Sequence, residues 1–351
     1  MADSRDKRNF GCGRRLDHLT ISRLAEKTAH LANRGSGLAL QARSALGRIS
    51  EYLRDAFTIQ DLEKCSRDHV INWIEDDLRP AVIEGELSRA TAAFYLSSIN
   101  TVFRMNSRNA VWVSAREYGI ARGQKYTNAD LSNRQEDVRT YQAWLLNRAS
   151  TSGGIRSLQF QALAHSIVLE WTAGLRFRES LMAKIGRKVL SGSGLALVEG
   201  DGCKNNRARE VQVLDGGCAL HEAQRFVLER AKDFKQGSLI PSALTYKQHK
   251  AFARNALQSF RGATGRSLNH HGNRHAFALE GYARLYEQKT GVRIEAPVKE
   301  KLFGQEHIAS IASRLHTTES EAKELDNQVR LELSNELGHG RVDVTWSYVG
   351  R

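Results

Sequence analysis

Along most of this 351-residue chain apolar residues recur at three- and four-residue steps, but after Gly192-Ser-Gly194 the step becomes two. Leu195-Ala-Leu-Val-Glu199 and Glu210-Val-Gln-Val-Leu214 both alternate. The longer step lines up one face of a helix, whereas alternation sends successive side chains to opposite faces of a strand. The two runs predict one hairpin, whose loop from Gly200 to Arg209 holds Lys204, Arg207 and Arg209 at its tip. A single hairpin set among helical stretches fixes the fold class as mainly α with a small β-sheet. Three prolines in the whole chain agree with that.

The length suffices for two domains, each with its own core. Residues 1–15 are basic and glycine-containing, and read as a flexible start. Residues 16–110 read as a compact helical domain, with helices over Leu38–Phe57 and Asp61–Asp77 and a further one capped by Ser88. Its aromatic residues are expected to pack its core. The pattern then weakens, and 111–134 reads as a loop-rich basic linker. Arg108, Arg122 and Lys125, in and beside it, together with Arg207 and Arg209 of the hairpin loop, are candidates for contact with DNA. The second domain, 135–351, opens with helices through Tyr141, Trp144 and Leu145 and through Leu158 to Trp171, and contains the hairpin. Further helices are expected at Glu222–Lys232, Tyr246–Phe260, from about Arg274, and at Glu319–Leu333.

Lysine and arginine number 52 against 39 acidic residues, a net charge of +13. The excess runs through residues 101–300 while 51–100 are acidic, so the positive stretch suits a nucleic-acid backbone. Cys12, Cys65, Cys203 and Cys218 form no C-x-x-C pair, and neither a zinc site nor a disulfide framework is indicated. No apolar run approaches a membrane span and no signal core opens the chain. The expected setting is cytoplasmic, on the nucleoid when bound to DNA.

One set of residues carries chemistry. Arg176 follows Thr172-Ala-Gly-Leu, Lys204 sits in the hairpin loop, and His271-Gly-Asn-Arg274-His275 follows. His339 stands in Leu-Gly-His, and Tyr348 comes nine residues later. Cations gathered around one tyrosine are parts for attacking a phosphodiester. A phenol of pKa near 10 is phenolate in only about one molecule in a thousand at neutral pH, so it needs a base or cations beside it. The phosphorane gains charge on its non-bridging oxygens, and paired guanidiniums, here Arg176 and Arg274, can hold them with charge-assisted hydrogen bonds. His339 would add a third donor. His271 is the candidate base, and Glu179, one turn after Arg176, would orient that arginine. His275 reads as a structural histidine.

These motifs resemble those of the tyrosine recombinases, or phage-type integrases. The carrying residues are Thr172-Ala-Gly-Leu-Arg176 with Glu179, Lys204-Asn-Asn-Arg in a hairpin, His271-Gly-Asn-Arg274-His275, and Leu337-Gly-His339 with Tyr348. The wording around His271 and His339 is similar to a subgroup from proteobacterial prophages and integrating elements. The resemblance covers about 170–351 by motif. It implies a helical core-binding domain followed by a catalytic domain, a 3′-phosphotyrosyl intermediate and Lys204 as the acid for the 5′-hydroxyl. It implies neither metal nor nucleotide cofactor, and no P-loop occurs. The implied partners are duplex DNA at specific core sites, a homotetramer on that DNA, and accessory DNA-bending or excision factors.

The sequence departs from the family in two places. The 65 residues from Arg274 to His339 exceed the usual spacing, the excess falling around 282–328. Only three residues follow Tyr348, so the usual C-terminal docking segment is expected to be missing. Ser180 and Ala183 also stand where relatives often carry leucine. Three other readings remain open at this point: a relaxing topoisomerase with the same chemistry, a catalytically idle DNA-binding or excision-control protein, and a metal-dependent nuclease or transposase.

Overall fold

The computed structural model describes residues 18–32, 36–61, 64–106, 111–123, 128–184, 195–198 and 209–351. Residues 1–15, the hairpin loop with Lys204 and Arg207, and the candidates Arg108 and Lys125 lie outside the described residues. The chain divides into two compact units, Met1–Lys125 and Tyr126–Arg351.

The first unit is helical. It contains α1 (His18–Leu31), α2 (Ser36–Phe57), α3 (Arg67–Trp73), which runs through a π turn at Ile74–Leu78 into α4 (Arg79–Ile83), and α5 (Arg89–Asn106). The three- and four-residue spacing turns Leu46, Ile49, Leu53, Trp73, Leu96, Ile99 and Phe103 into a shared core. Each such side chain contributes about 1.5–3 kcal/mol on burial. The helix expected from Asp61 begins instead at Arg67. Ser66 accepts a hydrogen bond from the His69 amide while His69 Nδ1 accepts one from the Ser66 amide, a reciprocal cap that sets the start. The expected linker is not free chain throughout. Val111, Val113 and Ile120 are buried in this core, and Asn100 exchanges hydrogen bonds with the backbone of Val113. Arg122 is exposed in this unit.

The second unit begins with α6 (Gln135–Ser150) and α7 (Gly154–Ala173), followed by the short α8 (Phe177–Met182). The only sheet among the described residues is the antiparallel pair β1 (Leu195–Val198) and β2 (Arg209–Gln212), with Val198 opposite Arg209. The alternating pattern thus forms the hairpin it predicts, shifted slightly in its second strand. Beyond it lie α9 (Cys218–Glu229), α10 (Tyr246–Thr264), α11 (His270–Thr290), α12 (Pro297–Glu300), α13 (Gln305–Leu315), α14 (Glu319–Glu336) and α15 (Val342–Val349). Phe160, Leu163, Ile167, Phe277, Leu285, Val329 and Leu333 join these elements in one core. The Leu214 amide donates to the Thr172 carbonyl at 2.8 Å, which fastens the end of the hairpin to the end of α7.

Candidate active site

Helix α7 stops at Gly174, whose φ of 58° is left-handed; a β-carbon there would fall 2.4 Å from the Phe277 ring. The turn projects Arg176 from the start of α8. Glu179 then closes that first turn by accepting from the Arg176 amide at 2.9 Å and from its guanidinium. The Glu179 side chain is fully buried, and Arg209 Nη2 donates at 2.7 Å to Oε2, the oxygen that also accepts from the Arg176 amide. Burial alone would raise this carboxyl. The Arg209 and Arg176 guanidiniums outweigh it and hold Glu179 at about 2. Arg209, expected at the hairpin tip facing DNA, is instead a buried residue of β2. Its Nε also donates to the Glu336 carbonyl at 2.8 Å. A strand end tucked against α14 and a buried carboxylate accounts for the difference.

Arg274 lies in the first turns of α11, which starts at His270 because the Asn269 side chain accepts from the Gly272 amide at 2.7 Å. Its side chain is completely buried, and each of its three nitrogens has a partner. Nη1 reaches the Gly174 carbonyl at 2.5 Å, Nη2 the Leu337 carbonyl, and Nε the phenolic oxygen of Tyr348 at 3.2 Å. Burial, with the Arg176 and Arg209 guanidiniums, pulls Arg274 down to about 10, which leaves it charged at neutral pH. His339 is set by the turn after α14, where its amide donates to the Ser334 carbonyl at 2.8 Å. Its Nε2 stands 3.1 Å from Arg176 Nη2 and 3.4 Å from Arg274 Nη2. A guanidinium only donates, so Nε2 is the acceptor in this arrangement.

Tyr348 is 6% exposed, on α15. Its ring centroid is 4.9 Å from His275, 5.7 Å from His271 and 6.2 Å from His339. His271 stands at the rim of the cluster. Partial desolvation and the guanidiniums of Arg274 and Arg176 hold it below the ordinary histidine value, so it is neutral and able to accept a proton at pH 7. His275 is buried and hydrogen-bonded to the backbone of Tyr348. Burial foremost, with His271 beside it, pushes it to about 4.

A second layer escapes sequence reasoning. Glu170 of α7 is fully buried and gathers Ser166, Ser180, His270 and Asn273. His270 Nδ1 lies 3.0 and 3.1 Å from its two oxygens. The unusual Ser180 is thereby explained: its hydroxyl is 2.7 Å from Ser166 and 3.2 Å from Glu170, where leucine would leave polar groups unpaired. Asn133 completes the layer. Its amide donates to the Gly272 carbonyl at 3.1 Å, and its side chain donates to the Asn269 carbonyl and Asn273 Oδ1 at 2.6 and 2.5 Å. No sequence signal marks either Glu170 or Asn133.

Arg176, Glu179, His271, Arg274, His275, His339 and Tyr348 therefore come together, and Arg209 joins them as an ion-pair partner. Three guanidiniums face one carboxylate, an excess of positive charge suited to one anionic group beside a phenol. No group of acidic, histidine or cysteine side chains among the described residues could hold a metal ion. None of their helices is long and apolar enough to cross a membrane.

No protein-family model matches the sequence, and neither does any curated protein. Solved structures do. The chain is similar to the XerH site-specific recombinase bound to its difH substrate in a pre-cleavage complex, at 17% identity and a TM-score of 0.54 over 94% of this chain and 82% of that one. It is likewise similar to the Tn1549 transposon integrase in complex with circular intermediate DNA, at 14% identity and a TM-score of 0.52 over 94% and 95% of the two chains. These likenesses establish the mainly helical fold expected from the sequence.

Proposed function

We propose that this chain is a tyrosine-type site-specific recombinase that cuts and rejoins duplex DNA through Tyr348. The observation that carries the reading is the meeting of Arg176, Arg274, His339 and Tyr348, from remote segments, within hydrogen-bonding and ring-contact distance of one another. Two proteins sharing the fold are a recombinase and an integrase on DNA, which supports the same substrate class. The sequence features similar to prophage and integrative-element enzymes favour integration or excision of a mobile element.

In the reaction the Tyr348 oxygen attacks phosphorus as its proton passes to His271, and the bond to the 5′-oxygen breaks. Arg176 and Arg274 donate to the non-bridging oxygens. An arriving phosphate competes with His339 for those guanidiniums, releasing the imidazole to turn toward the same oxygens. Losing one such donor typically costs about 10²–10³ in rate. Lys204 is assigned the proton that the 5′-oxygen takes up. The product is a 3′-phosphotyrosyl bond and a free 5′-hydroxyl. Attack by another 5′-hydroxyl reverses the step without an energy source, and four protomers exchanging strands in turn would complete recombination.

The test is a nicked duplex that loses its 5′-hydroxyl fragment once cleaved. The full chain is expected to form a denaturant-resistant protein–DNA adduct in EDTA, and Tyr348→Phe to form none. An adduct that persists in Tyr348→Phe rejects the assignment, and adduct formation that requires a divalent ion rejects the side-chain-cation mechanism.

A further inference from the structure

The stretch between Arg274 and His339, long for this arrangement, contains a buried relay that ends beside Tyr348. On α14, Arg330 is 3% exposed, and it donates from Nη1 to the Gly350 carbonyl at 2.7 Å and from Nε to Asp326 Oδ2 at 2.6 Å. The other Asp326 oxygen accepts from the hydroxyls of Tyr282 and, at 3.2 Å, Tyr286. Since the Tyr282 hydroxyl donates there, it accepts from His307 Nε2, 2.8 Å away on α13. The relay thus runs from α13 through α11 and α14 to a carbonyl two residues past the phenol.

A steric seat lies at the same end. Gly350 leaves α15 with φ 88°, and a β-carbon on it would fall 2.8 Å from Val298 Cγ1 and 3.3 Å from Phe303 Cε1. The Gly304 amide donates to the Arg351 carbonyl at 3.0 Å, and Val349 is completely buried. All of these supports come from residues 297–330.

Such a relay has no evident purpose as core alone. A buried ion pair adds little stability over well-packed apolar side chains. Its location is informative, because α14 also supplies the Glu336 carbonyl to Arg209 and leads directly to the Leu337 carbonyl on Arg274. One helix and the turn after it therefore reference Arg209, Arg274 and, through Arg330, the backbone that carries the phenol.

We infer that Arg330, with the seat built by Pro297–Gly304, is a positioning device that sets where the Tyr348 oxygen stands relative to Arg274. The inference rests on the proposed role of Tyr348. A misplacement of about 1 Å at a reacting centre costs roughly 10² in rate. Arg330 touches no reacting atom, so its loss acts on the cleavage step and spares DNA affinity.

The test measures single-turnover adduct formation by the full chain at saturating nicked duplex, with DNA affinity determined separately, at temperatures where each variant is folded. Arg330→Met is expected to form adduct roughly 10²-fold more slowly with unchanged affinity, and Arg330→Lys, which keeps a donor, to recover part of the rate. Gly350→Ala, which presses on Val298 and strains a left-handed turn at the end of α15, is expected to slow adduct formation about tenfold. Val298→Ala combined with Gly350→Ala should restore part of that loss by making room. If Arg330→Met does not fold, the Gly350 pair decides. Wild-type rates in these variants, or affinity falling in step with rate, overturn the inference. Failure of the unaltered protein to form any adduct would instead remove the proposed function on which it stands.

Discussion

The two units bury different chemistry. In the first, the described buried polar residues are Thr28, Ser50, Ser98 and Asn106, all small and neutral. In the second, Glu170, Glu179, Arg209, Arg274, Asp326 and Arg330 are buried alongside His249, His275 and His307. Removing a charge from water costs several kcal/mol per ion, recovered only where the partners are well placed. A chain that needed only to fold could build both units like the first. On the proposed function the second carries the cost because charges fixed before a substrate arrives need not reorganise when charge develops on it.

The sharpest way to break this contrast is a near-isosteric swap in each core. Leucine to methionine in the first unit should cost below about 1.5 kcal/mol. Glu179→Gln, equally conservative in shape, strips Arg176 and Arg209 of their counter-charge and should destabilise the second unit by about 3–5 kcal/mol. Segment-resolved hydrogen exchange on the full chain measures both, and equal losses would erase the distinction.

Somewhat smaller in free energy is the effect on rate. Arg274→Ala should lower single-turnover adduct formation by about 10²–10³. A first-unit core truncation such as Leu96→Ala should lose about 2–5 kcal/mol of stability and leave the rate per folded, DNA-bound molecule unchanged. A rate defect confined to the Leu96 variant would reverse the assignment of chemistry between the units.

A third effect is negligible at neutral pH and develops only on acidification. Burial holds His249, His275 and His307 at about 4 against an ordinary value of 6.5. The folded second unit keeps them neutral, whereas the unfolded chain takes up protons below pH 6.5. Stability should therefore be intact above that value and decline as pH falls toward 4, by up to about 1.4 kcal/mol per histidine per pH unit. Hydrogen exchange in residues 135–351, corrected for intrinsic rates, should show this between pH 6.5 and 4. Unchanged protection at His275 and His307 would contradict it.

How much of this could be read beforehand varied with the range of the interaction. The helices and hairpin follow from local spacing, and the meeting of Arg176, Arg274, His339 and Tyr348 was legible because residue type and order survive in the sequence. Arg209 was misplaced since a basic residue at a strand end reads alike whether it faces solvent or a buried carboxylate. Glu170 carries no local signal, because its partners His270 and Asn273 lie about a hundred positions away. The start of α3 falls at Arg67 and not Asp61 because the reciprocal cap at Ser66 prevails over apolar periodicity. The expected linker end at 134 likewise hid Asn133, whose worth depends wholly on the helix it meets.

That asparagine bears on where the protein can be divided. A fragment begun at residue 135 would keep every helix of the second unit yet leave the first turn of α11, with His271 and Arg274, without its outer fastening. A fragment begun at 128 would retain it. Two excisions differing by seven residues should then yield equally helical products of unequal competence, and the shorter one would be mistaken for proof that the missing half is needed for chemistry.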